Sequence, residues 1–134
     1  VGAPLTVLYV EDNDANFTLC QRVLETTGRY EVKRAESAEQ ALELLATMTP
    51  AVILLDLDLP GMKGIELARH LKSRPNTADI PIVVITASVM QLERRRALEA
   101  GASAFLEKPF DIGELRVVVG EMVDRGGALR QPEA

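Results

Sequence analysis

Apolar and polar positions fall into two kinds of block along this chain. Leu5 to Val10, Val52 to Leu55 and Ile80 to Ala87 are short, nearly continuous runs of mostly branched residues, which predicts strands buried on both faces. Between them apolar residues recur at helical spacing. Phe17, Cys20, Val23 and Leu24 make a first helix that stops at Gly28, with Asp14 as its expected N-cap. Tyr30 to Arg34 alternates with charges and predicts a short second strand at or near an edge. Ser37-Ala38-Glu39-Gln40 spells a capping box for a second helix whose inward face is Ala41, Leu42 and Leu45, closed by Pro50. Ile65, Ala68 and Leu71 give a third helix, ended by Ser73-Arg74-Pro75-Asn76; Leu92, Ala97 and Leu98 give a fourth, ended by Gly101. Ala104 to Pro109 predicts the fifth strand, and Asp111-Ile112-Gly113-Glu114 opens a last helix with Leu115, Val118, Val119 and Met122 inward.

Strand and helix thus alternate five times. Continuous apolar strands joined through helices imply a parallel sheet covered on both faces, a three-layer α/β sandwich with right-handed crossovers. The spacing fits a flavodoxin-like (βα)5 order, 2-1-3-4-5. One domain over residues 5–124 is expected. Residues 1–4 and 125–134, the latter containing Gly126-Gly127 and Gln131-Pro132, are expected to be disordered termini or linker.

Composition narrows the function without naming it. The 134 residues suit one core, and 47% apolar with 26% charged is an ordinary globular balance. A formal net charge of −5 argues against a broad nucleic-acid face. Cys20 is the only cysteine, so no internal disulfide forms, and its place on an apolar stripe assigns it to packing. The longest apolar run is far short of the roughly 20 residues of a membrane span. Val1-Gly2-Ala3-Pro4 lacks the charged start and apolar run of a secretory signal, so a cytoplasmic location is expected, without membrane contact.

The chemistry lies at the strand ends. Glu11 and Asp12 follow the first strand, Asp56 ends the third, Thr86 the fourth and Lys108 the fifth. A parallel sheet brings all these ends to one edge, where open α/β folds collect ligands. Alone, Asp56 would read equally well as a turn or cap residue; in this company it reads as a reacting group. Three converging carboxylates repel one another, and a hard divalent cation bound through oxygen relieves that repulsion, which points to Mg²⁺. Asp56 suits a nucleophile forming an aspartyl phosphate, with the Lys108 ammonium and the Thr86 hydroxyl compensating charge on the phosphoryl oxygens.

Glu11-Asp12-Asn13, Asp56 followed by Leu59-Pro60-Gly61, Thr86-Ala87 and Lys108-Pro109-Phe110 resemble, in order, the motifs of the receiver domain of two-component response regulators, the CheY-like fold. The resemblance spans about residues 5–124. It implies that Asp56 accepts a phosphoryl group from phosphohistidine on a sensor histidine kinase or a histidine phosphotransfer protein. It implies Mg²⁺ on Glu11, Asp12, Asp56 and the backbone carbonyl of Asp58, with a cis Lys108-Pro109 bond. It further implies a switch in which Thr86 moves toward the phosphate and Phe105 turns inward, and a partner face on the fourth helix, fifth strand and fifth helix for a second copy or a downstream protein. Plain core packing is the alternative for Phe105.

Other positions have two readings. The Asp58 carboxylate either modulates phosphorylation or hydrolysis or merely tolerates its site; Ala87 either leaves the pocket open to water and small donors or is neutral. Arg94-Arg95-Arg96 reads first as a solvated helix face and second as a dock for an acidic partner, and His70 reads as a solvated surface residue. Two rival functions remain. Asp56-Leu57-Asp58 also spells the haloacid-dehalogenase phosphatase signature, although there the nucleophile follows the first strand and the acidic pair comes after the lysine. A pseudo-receiver that no longer takes phosphate is the other, and no missing site residue supports it. No helix-turn-helix follows Asp124, so a stand-alone receiver and a piece of a hybrid kinase or larger regulator both fit.

Overall fold

The computed structural model describes residues 3–57, 64–87 and 91–130, with side chains described except at 91–93 and 125–130. Ten elements alternate in chain order: β1 (Leu5–Val10), α1 (Asp14–Glu25), β2 (Tyr30–Ala35), α2 (Ala38–Leu45), β3 (Val52–Asp56), α3 (Gly64–Lys72), β4 (Ile82–Thr86), α4 (Gln91–Glu99), β5 (Ala104–Glu107) and α5 (Ile112–Arg130). The five strands form one parallel sheet in the order β2-β1-β3-β4-β5, the expected topology.

Alternation along each strand divides the core in two. Leu8, Val10, Ile53, Leu55, Ile82 and Val84 face α2, α3 and α4, where they meet Ala41, Leu67, Leu71 and Ala97. Val7, Tyr9, Val52, Leu54, Val83 and Ile85 face α1 and α5, meeting Cys20, Leu24, Leu115 and Val119. Every residue of β3 and β4 is buried, as continuous apolar runs require of central parallel strands. Burial pushes the Cys20 thiol up to about 12, so it packs and does not react.

The caps explain the helix starts, with one correction. Ser37 accepts from the Gln40 N–H at 3.1 Å and Gln40 reaches back to the Glu36 N–H; Asp111 accepts from the Glu114 N–H at 2.9 Å. At α1 the N-cap is Asn13, not Asp14: Asn13 is extended and its Oδ1 accepts from the Asn16 N–H at 2.9 Å. Asp14 is instead the first helical residue and pairs with Arg34. Gly28 and Gly101, at φ +75° and +110°, close α1 and α4 as their positions predict. The backbone of α5 continues to Arg130, beyond the turn signal at Gly126-Gly127; Ala128, Leu129 and Arg130 are good helix formers, and a glycine weakens a helix interior by only about 1 kcal/mol. No helix among the described residues is long and apolar enough to cross a membrane.

The packing carries a prediction. Leu54→Ala, at a position with 0% exposure between β1 and β4, should lower unfolding free energy by about 3 kcal/mol in urea titration, with the slope unchanged. An unmoved midpoint would contradict the packing described.

Candidate phosphoacceptor site

Strand parity decides which side chains meet. Glu11 continues the Val7, Tyr9 series, Asp56 the Val52, Leu54 series and Lys108 follows Leu106, so all three emerge on the α1/α5 side of the sheet's carboxyl edge. Thr86 continues the Ile82, Val84 series on the opposite side, the side against which Phe105 packs. The strand ends interlock across the sheet. Asp56 lies in register with Ile85, and the Lys108 N–H donates to the Thr86 carbonyl at 2.9 Å.

The Lys108 ammonium donates to Glu11 Oε1 at 2.8 Å and to Asp56 Oδ2 at 3.1 Å, joining the ends of β1, β3 and β5. Asp12 completes a set of carboxylate oxygens lying within 4.8 Å of one another with those of Glu11 and Asp56, the one such acidic cluster among the described residues. Glu11 and Asp56 are 0% and 2% exposed, and Asp12 opens to solvent. The Lys108–Pro109 peptide is cis.

Glu11 is held asymmetrically. Its Oε1 accepts from Lys108, from Asn16 Nδ2 at 2.9 Å and from the Tyr9 hydroxyl at 3.3 Å. Its Oε2 is buried and has no hydrogen-bond partner. Three donors thus share one oxygen, and the other is left without a donor. Burial first, then the adjacent Asp56 carboxylate, push the Glu11 carboxyl above the usual glutamate range, against the pull of Lys108 and Asn16. Burial would lower Lys108, but its bonds and attraction to Glu11 and Asp56 outweigh that and hold the ammonium above its ordinary value. One ammonium cannot balance three carboxylates. An all-oxygen set, partly buried and partly open, with one oxygen lacking a donor, fits Mg²⁺ with several of its waters retained.

Three contributors to the site lack a motif of their own. Tyr9 is a hydroxyl within an apolar strand, and its polar tip in Leu5-Thr6-Val7-Leu8-Tyr9-Val10 was the available signal. Arg34 donates from Nε to the Glu11 carbonyl at 3.0 Å, and nothing in the spacing of β2 marks it. Gly64 opens α3 so close to β3 that a Cβ there would lie 2.7 Å from the Asp56 carbonyl oxygen and 2.8 Å from Leu57 Cα. Asp58 and Leu59-Pro60-Gly61 lie outside the described residues.

The response regulator receiver domain model matches residues 7–120. This chain belongs to that family. As a response regulator receiver domain it is a phosphoacceptor module of two-component signalling, and the haloacid-dehalogenase alternative is set aside. The receiver is 44% identical over 105 residues to the response regulator PleD of Caulobacter vibrioides, covering 78% of this chain and 23% of that protein. It is 33% identical to the polar-differentiation response regulator DivK of Brucella anthropi over 81% of this chain and 88% of DivK. Among solved structures, the receiver domain of sensor histidine kinase PA1611 from Pseudomonas aeruginosa PAO1 superposes with a TM-score of 0.83 at 30% identity, covering 91% of this chain and 99% of that one. That structure carries a magnesium ion in its active-site cleft. The chain spans about a quarter of PleD and most of DivK.

Two outcomes are expected of this geometry. Because the Glu11 pKa is raised, Mg²⁺ must displace a proton at lower pH; calorimetric affinity for Mg²⁺ should rise with pH through that value and level off above it. Glu11→Gln should bind more weakly and lose that part of the rise, whereas an identical profile would remove Glu11 from the metal set. Gly64→Ala should lower stability by about 1–3 kcal/mol in thermal melts, because the atoms in its way are backbone and cannot rotate aside.

Proposed function

We propose that Asp56 takes a phosphoryl group from a phosphohistidine on a sensor histidine kinase or histidine phosphotransfer protein, with Mg²⁺ held by Glu11, Asp12, Asp56 and the backbone carbonyl of Asp58. The observation that carries this reading is the Lys108 ammonium bonded at once to Glu11 and Asp56, beside an acidic cluster containing an oxygen without a donor. Bound Mg²⁺ would neutralise charge on the phosphoryl oxygens. An Asp56 carboxylate oxygen attacks phosphorus in line with the departing imidazole nitrogen. The P–N bond breaks, and its electron pair stays with the imidazole, which takes up a proton. Lys108 exchanges its carboxylate partners in part for a phosphoryl oxygen, and the Thr86 hydroxyl donates to another. Loss of phosphate follows when water attacks the same phosphorus and the P–O bond to Asp56 breaks, which restores the carboxylate, so the domain carries out only its own phosphotransfer and dephosphorylation.

The switch we assign to Thr86 and Phe105 is supported by their shared face of the sheet. Phe105 pairs with Val84, two residues before Thr86 on that face, so a displacement of Thr86 changes the space beside the ring. The ring is half-buried, and the Arg94 guanidinium lies 5.2 Å from its centroid. Beyond it, α4 and α5 carry exposed Leu98, Ile112 and Val117, which supports a face on α4, β5 and α5 for a second copy or a downstream protein. Arg95 and Arg96 are exposed there too, as a solvated helix face requires. His70 is half-buried, with Nε2 sheltered and unpartnered, and is less solvated than its charged neighbours suggest. We assign the domain to the cytoplasm, where histidine kinases present their phosphohistidine, and assign it no direct contact with nucleic acid.

Intact mass after incubation with acetyl phosphate should show one phosphoryl adduct that disappears in Asp56→Asn and without Mg²⁺. An adduct that persists in Asp56→Asn would refute the assignment. Binding of beryllofluoride should change the Phe105 ring environment in NMR spectra, and an unchanged ring would remove Phe105 from the switch.

A further inference from the structure

We infer that Arg34, on the edge strand β2, is a positioning residue that holds the Glu11–Asp12 peptide in the geometry Mg²⁺ requires; the inference rests on the metal reading above. Both backbone groups of Glu11 are tied to β2. Its N–H donates to the Ala35 carbonyl at 2.9 Å, continuing the β1–β2 ladder by one residue. Its carbonyl lies where β2, ending at Ala35, no longer runs alongside, and there the Arg34 side chain supplies the donor, Nε at 3.0 Å. The peptide that follows this carbonyl joins the two acidic residues of the cluster. Fixing it sets Asp12 relative to Glu11.

The guanidinium is itself well held. It stacks over Phe17 with Cζ 5.3 Å from the ring centroid, and Nη1 meets Asp14 of the first turn of α1 at 2.7 Å. Its side chain is 21% exposed. Nη2 lies 3.6 Å from Glu36, too far for a hydrogen bond. Asp14 is 88% exposed, so that ion pair contributes little energy by itself. What it adds is direction: β2, α1 and the loop between Val10 and Asp14 are clamped through one planar fork, which a lysine cannot reproduce.

Two accounts of Arg34 predict opposite signs. As a nearby positive charge, it would repel Mg²⁺, and its removal would tighten binding. As a positioning group, its removal loosens the acidic pair and weakens binding, by about tenfold on the scale typical of residues behind metal ligands. Calorimetric titration with MgCl2 should therefore show about tenfold weaker binding in Arg34→Ala. Arg34→Lys, which keeps the charge and loses the fork, should also bind more weakly than wild type, and it carries the test if the alanine variant does not fold. At saturating Mg²⁺, both variants should reach the wild-type yield of acetyl phosphate adduct, because the defect lies in metal affinity. Tighter or unchanged binding in Arg34→Ala, wild-type affinity in Arg34→Lys, or an adduct defect that persists at saturation would each overturn the inference. Wild-type protein that binds no Mg²⁺, or binds it equally well as Asp12→Asn, would overturn the metal reading and this inference together; unchanged Arg34 variants beside a normal wild type overturn this inference alone.

Discussion

Burying carboxylates at the end of a dry sheet is expensive, and the rest of the site is arranged around that constraint. Glu11 and Asp56 follow runs buried on both faces, residues 7–10 and 52–55, and an unpaired buried carboxylate is far less stable than a solvated one. The Lys108 ammonium reaches both, which lets the strand ends fold together. It leaves excess negative charge and a bare Glu11 oxygen in place. A site with excess negative charge gains by taking up a cation.

The fold contributes direction more than energy. In a parallel sheet every strand ends at the same edge, and alternation then sorts those ends by face. Glu11, Asp56 and Lys108 share the α1/α5 side, whereas Thr86 and Phe105 share the other. Thr86 thus continues the second side, and its carbonyl, which takes the Lys108 N–H, joins it to the first. On the second side Phe105 packs beside Val84 and under Arg94.

Support from outside the motifs is as important as the motifs. Tyr9 and Asn16 both donate to one oxygen of Glu11, and the other has no donor; Gly64 lets α3 begin against the backbone of Asp56. The cap that the sequence assigned to Asp14 is made by Asn13, and Asp14 meets Arg34 instead. The loop carrying Glu11 and Asp12 is thus tied at both ends, by a cap on the α1 side and by a ladder bond and a side-chain donor on the β2 side.

By itself the sequence determined the alternation of strands and helices, the parallel sheet and its order, and the acids, hydroxyl and lysine at the strand ends. These are legible because each rests on local periodicity or on a residue's position at the end of a run, and both are written in consecutive residues. Only the tertiary structure decided which oxygen of Glu11 is left bare, that Arg34 reaches the Glu11 carbonyl, that Gly64 must lack a side chain, and that Arg94 lies over Phe105. Each of those depends on side chains from elements that are neighbours in space and distant in sequence. No period along the chain encodes a distance between them; it arises when the helices settle onto the sheet.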